Sequence, residues 1–211
     1  MGGGVADRLD EAAMHAAILG WGSLLSDPRD LCVHGDWQPD GPRLPIEFAR
    51  VSGKDRDRLT AVLFEGAEPI QTYWIRSGML TLEGARENLR CREGCRSIDS
   101  IGYLTSRGRH QLAHFAGLRE LLRHWLVGRP DLGAVLWTDL RSNFRERTGR
   151  DFSVDDGVGW LQNLIKDGCQ GAAEDYIRRA PPQTDTPLRR RVREILGWAD
   201  NWPGEQRTPG R

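Results

Sequence analysis

The sequence predicts an α+β fold, and three observations carry that prediction. Strand-type alternation fills the first half, with Ile46, Phe48, Arg50 and Ser52 on one face and Leu59, Ala61 and Leu63 beyond a polar turn. Helical spacing fills the second half, where Leu112, Phe115, Leu118, Leu122 and Trp125 form one apolar stripe. Strands cluster early and helices late, whereas a doubly wound parallel sheet would alternate them. At 211 residues the chain is long enough for one sizeable core and short for two. The expected organisation is a flexible tail over 1–14, a single domain over 15–200 and a flexible tail over 201–211.

Each element has a local reason. Residues 1–14 open with three glycines and a short acidic, Ala-rich stretch. The first strand runs from Ala16 to Trp21, and Ser26-Asp27-Pro28-Arg29-Asp30 then reads as a turn opening into a helical turn. Gly35 to Pro45 is rich in Pro, Gly and Asp and reads as a surface loop anchored by Trp37. Leu44–Ser52 and Leu59–Leu63 form a hairpin around Gly53 to Asp57. Gln71 to Ile75 is strongly strand-prone. Thr81 can N-cap a helix to Leu89 that buries Leu82, Ala85 and Leu89, delivering Arg92-Glu93-Gly94 to a corner. Ser106 can cap the long helix, which Gly128-Arg129-Pro130 stops. Gly133 to Thr138 is a short buried strand. Ser153 caps Val154 to Ile165, Gly171 to Arg179 is a further helix, Pro181-Pro182 breaks it, and Pro187 to Trp198 closes the fold. The helical half is expected to pack on the strands, because its apolar stripe must be buried.

Composition excludes several classes. Thirty basic and thirty acidic residues cancel, so no bulk charge draws the chain to nucleic acid or a membrane surface. No run is long and apolar enough to span a bilayer, and Asp7, Arg8, Asp10 and Glu11 interrupt the place of a signal peptide, which makes the chain cytoplasmic by expectation. Four cysteines are too few for a disulfide framework. Cys91, Cys95, His110 and His114 approach a zinc-finger spacing. The intervening stretch lacks that motif's aromatic and leucine core, so no metal is assigned. Most of the eight tryptophans read as core, and the Arg189-Arg190-Arg191 cluster as a solvated face.

The chemistry centres on Ile18-Leu19-Gly20-Trp21-Gly22-Ser23-Leu24-Leu25, an apolar strand running into a glycine-bracketed turn. Gly20 and Gly22 permit positive φ and a close approach to a ligand, and successive amides of such a turn can form an anion-binding nest. A second stretch is Asn88-Leu89-Arg90-Cys91-Arg92-Glu93-Gly94. Together the two resemble the gamma-glutamyl cyclotransferase superfamily, whose members carry a Gly-Tyr-Gly-Ser loop after the first strand and a catalytic glutamate later in a Glu-Gly context. Trp21 stands where that family has Tyr, and Asn88-Leu89-Arg90 replaces its Leu-Asp. The resemblance implies a small mixed β-barrel with flanking helices and a helical C-terminal half, and an activity that needs no metal or organic cofactor.

By that resemblance Glu93 is the general acid/base that deprotonates the α-amine of a γ-glutamyl compound and reprotonates the leaving amine. The amides of Gly20, Trp21, Gly22, Ser23 and Leu24 would hold a substrate carboxylate or the developing oxyanion. Glu47 is a rival carboxylate if the strand's faces are reversed. Arg50 is either a strand-rim residue or a carboxylate clamp, and Tyr103 either a half-buried strand tyrosine or a hydrogen-bond donor to the pocket. The implied activity is a carbon–nitrogen lyase or acyl transfer that releases 5-oxoproline from a small γ-glutamyl substrate, with neither nucleic acid nor membrane as partner. The alternative is a catalytically silent relative that binds a small carboxylate metabolite or a protein.

Overall fold

A computed structural model describes residues 15–52, 57–112 and 116–203. The described residues form a mixed α+β structure, and the chain divides into two compact units between which it passes more than once.

The first unit takes residues 15–20, Arg29–Pro42 and Tyr73–Asp139. Its strands are β1 (Ala16–Gly20), β2 (Val33–Gln38), and then, after three strands of the other unit, β6 (Tyr73–Ser77), β7 (Ile101–Thr105), β8 (His110–Gln111) and β9 (Ala134–Thr138). They make one mixed sheet of order β2-β6-β1-β9-β7-β8. The pairing of β1 with β9 is parallel, and every other pairing is antiparallel. Central strands covered on both faces need continuous apolar runs. Ala16 to Leu19 and Ala134 to Trp137 supply them, none more than 1 % exposed. Helices α2 (Leu82–Glu93) and α3 (Ala116–Val127) pack on β7 and β9, burying Leu82, Ala85, Leu89, Leu118 and Leu122. Thr81 caps α2 as expected, its hydroxyl accepting from the Gly84 amide at 3.1 Å.

The second unit takes Trp21–Pro28, Arg43–Thr72 and 140–203. Strands β3 (Arg43–Ser52), β4 (Arg58–Leu63) and β5 (Pro69–Gln71) form an antiparallel sheet of order β4-β3-β5. With them lie α1 (Ser23–Ser26), α4 (Phe144–Thr148), α5 (Val154–Lys166), α6 (Gly171–Arg178) and α7 (Pro187–Leu196). One cluster joins strand and helix residues: Phe48, Val51 and Leu59 with Phe144, Leu161, Ile177, Leu188 and Val192. The helices after 140 therefore pack on the hairpin, whereas α3 belongs to the other unit. Arg189 of α7 is fully buried. Its guanidinium donates to the carbonyls of Ala180 (2.7 Å), Pro181 (2.5 Å) and Thr184 (3.2 Å) and pairs with Asp200 (3.0 Å), which fixes the segment between α6 and α7.

Several expectations are corrected. Among the described residues no closed barrel forms, because β2 and β8 end one sheet and β4 and β5 the other; closure would require those edges to pair. The long helix begins at Ala116 rather than after Ser106. Gly108, at φ 89°, turns the chain into the β7–β8 hairpin, and that places Leu112 outside the helix and His110 on a strand. The stretch from Gly35 contains β2, an exposed edge whose pairing with β6 needs backbone groups rather than apolar side chains. Gln71–Ile75 is two strands, split at buried Thr72 where the chain passes from one sheet to the other. Helix α4, built around buried Phe144, is additional. The predicted tail over 1–14, residues 204–211 of the predicted tail over 201–211, residues 53–56 of the hairpin turn, His114 and Phe115 lie outside the described residues. Among the described residues no helix is long and apolar enough to cross a membrane.

Candidate functional site

Glu93 is the last residue of α2, and its position is set by the way the helix ends. Gly94 takes a left-handed conformation (φ 65°) that a residue with a Cβ adopts only with strain. The Gly94 amide donates to the Cys91 carbonyl and the Cys95 amide to that of Arg90, both at 3.1 Å. These two bonds close the helix in a Schellman motif. The Glu93 side chain is 19 % exposed and its Oε1 lies 2.5 Å from Nη1 of Arg92, which is itself nearly buried. Glu93 is thus a partly accessible carboxylate on a fixed corner, with one charged partner and room for another contact.

The glycine-bracketed turn is built differently from the expectation. Neither Gly20 nor Gly22 has positive φ. Gly20 ends β1 and sits opposite Tyr73 of β6, while Gly22 precedes the single turn of α1. Space at Gly22 is tight: a Cβ there would lie 3.2 Å from the Tyr176 hydroxyl, which would have to shift by a few tenths of an ångström. Trp21 is buried, donates its indole N–H to the Ala61 carbonyl of β4 at 3.1 Å, and accepts the Thr184 hydroxyl on its own carbonyl at 2.6 Å. The bonds from the Leu25 amide to Gly22 and from the Asp27 amide to Ser23 complete the turn. Being at the start of a helical turn, the Ser23 and Leu24 amides have no acceptor within it. Leu24 is buried, and Gly22 and Ser23 are half-buried.

The other candidates have other placements. Arg50 on β3 donates to the Arg141 carbonyl at 2.6 Å, tying the strand to the segment before α4. Tyr103 on β7 pairs with Leu136 and Gln111, and the Arg86 guanidinium lies 4.7 Å from its ring centre. Glu47 is 3 % exposed. Its Oε1 accepts the Phe48 amide at 2.7 Å, and its Oε2 accepts the Leu188 amide of the first turn of α7 at 3.2 Å. Burial pushes its carboxyl above the usual range, against hydrogen bonds from Thr186, Phe48 and Leu188 that stabilise the charge. That carboxylate is an anchor for a helix N-terminus. Gly20, Glu93 and Tyr103 belong to the first unit, and Trp21, Gly22, Ser23, Leu24 and Arg50 to the second.

No protein-family model, curated protein or solved structure matches this chain.

Three residues of the second unit that the sequence does not single out surround the turn or its supports: Thr184, Tyr176 and Arg58. Thr184 meets Trp21 across 163 positions, and no spacing rule reaches that far. The Arg58 guanidinium carbon lies 5.5 Å from the Tyr176 ring centre, a strand-to-helix contact invisible in the sequence. An open cleft of about 450 Å³ beside α4 and α5, lined by Thr148, Arg150, Asp156 and Trp160 among others, contains none of the expected site residues.

Proposed function

We propose that this chain is a gamma-glutamyl cyclotransferase-like enzyme acting on a small cytoplasmic γ-glutamyl compound. The observation that carries the reading is the Arg92-Glu93-Gly94 corner: a carboxylate held on a closed helix end, 19 % exposed, in the motif where the family carries its acid/base. Glu93 takes a proton from the substrate's α-ammonium. The freed nitrogen attacks the γ-carbonyl carbon, closing a five-membered ring; the bond from that carbon to the leaving nitrogen breaks as Glu93 returns the proton to it, and the second proton of the ring nitrogen passes to the released amine, which departs as an ammonium. Atoms and charge balance without a cofactor. Ring closure within one molecule makes positioning a large part of the acceleration.

A second reading, a silent relative that binds a carboxylate without turning it over, is favoured by the contact that already occupies Glu93, its ion pair with Arg92. One assay separates the two. Release of 5-oxoproline is measured across γ-glutamyl amino acids, γ-glutamyl amines and glutathione, for the native protein and Glu93→Gln. The enzyme reading expects turnover by the native protein and a loss of about 10²–10⁴-fold in the variant, the usual worth of a general acid/base. Undiminished turnover in Glu93→Gln removes Glu93 from the mechanism, and no product from any native reaction favours the silent reading.

A further inference from the structure

The open cleft beside α4 and α5 has a floor that packing does not explain. Its lining residues all belong to the second unit. Helix α5 carries glycine at 157 and at 159, and the two differ. At Gly157 a Cβ would lie 2.9 Å from a Leu188 methyl and 3.1 Å from the Phe152 ring, so close packing accounts for it. At Gly159 a Cβ would meet nothing within 4 Å. Glycine inside a helix is destabilising relative to alanine, and at 159 no contact offsets that loss. What the missing side chain leaves is open space on the cleft floor.

The walls restrict the ligand. Asp156, Gly159, Trp160 and Asn163 follow one another at helical spacing, so one face of α5 lines the cleft. Asp156 pairs with Arg150 at 3.3 Å, and Asp155 lies 4.0 Å from Arg191. The charges are thus matched, and the cleft has no net attraction for a phosphate, a carboxylate or an ammonium group. The remaining polar groups are neutral. Trp160 is half-buried, packs on the hydrophobic cluster and also lines the cleft. Among the described residues its indole N–H and the side-chain amides of Gln162 and Asn163 have no hydrogen-bond partner. The volume of about 450 Å³ is that of a small-molecule site. Being open, it leaves one edge of the ligand in water.

We infer that this cleft binds the pyranose ring of a neutral saccharide: a C–H face of the sugar rests on the Trp160 indole above Gly159, and its hydroxyls bond to the Gln162 and Asn163 amides. Sugar C–H groups carry partial positive charge and suit the negative face of an aromatic ring. A hydroxyl donates and accepts, as a side-chain amide does, so each satisfies the other without charge. The site does not depend on Glu93 or on the proposed function.

The test records proton–nitrogen correlation NMR spectra of the full chain with the methyl glycosides of glucose, galactose, mannose and N-acetylglucosamine. At least one is expected to shift the Trp160 indole and Gly159 amide signals, with a Kd of about 1–10 mM for a ligand left partly in water. Sorbitol, which has the hydroxyls without the ring face, and inorganic phosphate shift neither. Trp160→Phe identifies the indole signal and weakens binding by about two- to tenfold, as does Asn163→Ala, the usual worth of one hydrogen bond. Gly159→Gln fills the floor and abolishes binding. Its Tm equals or exceeds the native value, because glutamine is the better helix former, so lost binding there is not lost folding. Disaccharides of the same sugars are run beside them: tighter binding assigns a glycan and equal binding a free sugar, and both support the site.

Three results overturn the inference. One is no shift of either signal by any glycoside at about 50 mM, well above the expected Kd. Another is a shift by sorbitol or phosphate as large as that by the glycosides. The third is native affinity in Gly159→Gln. The first two need no variant to fold.

Discussion

Replacing Thr184 by Val exchanges the hydroxyl for a methyl of nearly the same volume, and it isolates the bond that supports the turn. Thr184 is 1 % exposed, and its hydroxyl donates to the Trp21 carbonyl at 2.6 Å. Its main-chain bonds, from its amide to Pro181 and from Arg189 to its carbonyl, do not involve the side chain and survive. The variant leaves a buried carbonyl short of a donor, a loss of about 1–3 kcal/mol. For a chain of this size about 2 kcal/mol corresponds to a fall in Tm of about 4–8 °C. Urea and thermal unfolding read the total, and hydrogen exchange reads the place: the Leu25 and Asp27 amides, which bond to Gly22 and Ser23, exchange faster while those of α2 do not. A loss below about 0.5 kcal/mol, near the level of an ordinary surface substitution, or faster exchange spread evenly over both units, refutes the reasoning.

Two further outcomes test the frame around the site. Gly102→Ala is expected to cost about 1–3 kcal/mol or more, because a Cβ there would lie 2.4 Å from the ring of Trp137, its fully buried partner across β7 and β9; native stability on urea unfolding would contradict that packing. Glu47→Gln is expected to destabilise the fold by about 1–3 kcal/mol, since an amide cannot accept from both Phe48 and Leu188. The sign of its pH dependence follows from the raised carboxyl. The folded state holds the proton more tightly than the unfolded one, so the native protein gains stability relative to the variant as pH falls from the raised value toward the ordinary carboxylate range. Unfolding curves for both proteins at neutral pH and near pH 5 measure it, and a gap that narrows on acidification contradicts the assignment.

What the sequence determined by itself is what local physics governs. The Thr81, Ser153 and Pro187 helix starts, the buried run at Ala134–Thr138, the β3–β4 hairpin and the α+β class all follow from caps, periodicity and the order of elements. The Gly-Trp-Gly-Ser turn and the Arg-Glu-Gly corner were legible as motifs for the same reason, being short and contiguous. Tertiary structure decided the rest. Ser106 has the chemistry of a cap, yet the β7–β8 hairpin takes its segment, because pairing with β7 stabilises a strand there that the local pattern does not show. Gly22 reads as a residue chosen for positive φ, yet its φ is negative and what crowds it is the hydroxyl of Tyr176, far along the chain. Glu47 reads as a rival base and becomes a helix anchor once α7 arrives with its unpaired first-turn amide. Arg58 carries no sequence signal at all. Whether an arginine is solvated, ion-paired or stacked on a ring, as Arg58 is on Tyr176, is fixed only when every other chain segment has taken its place around it.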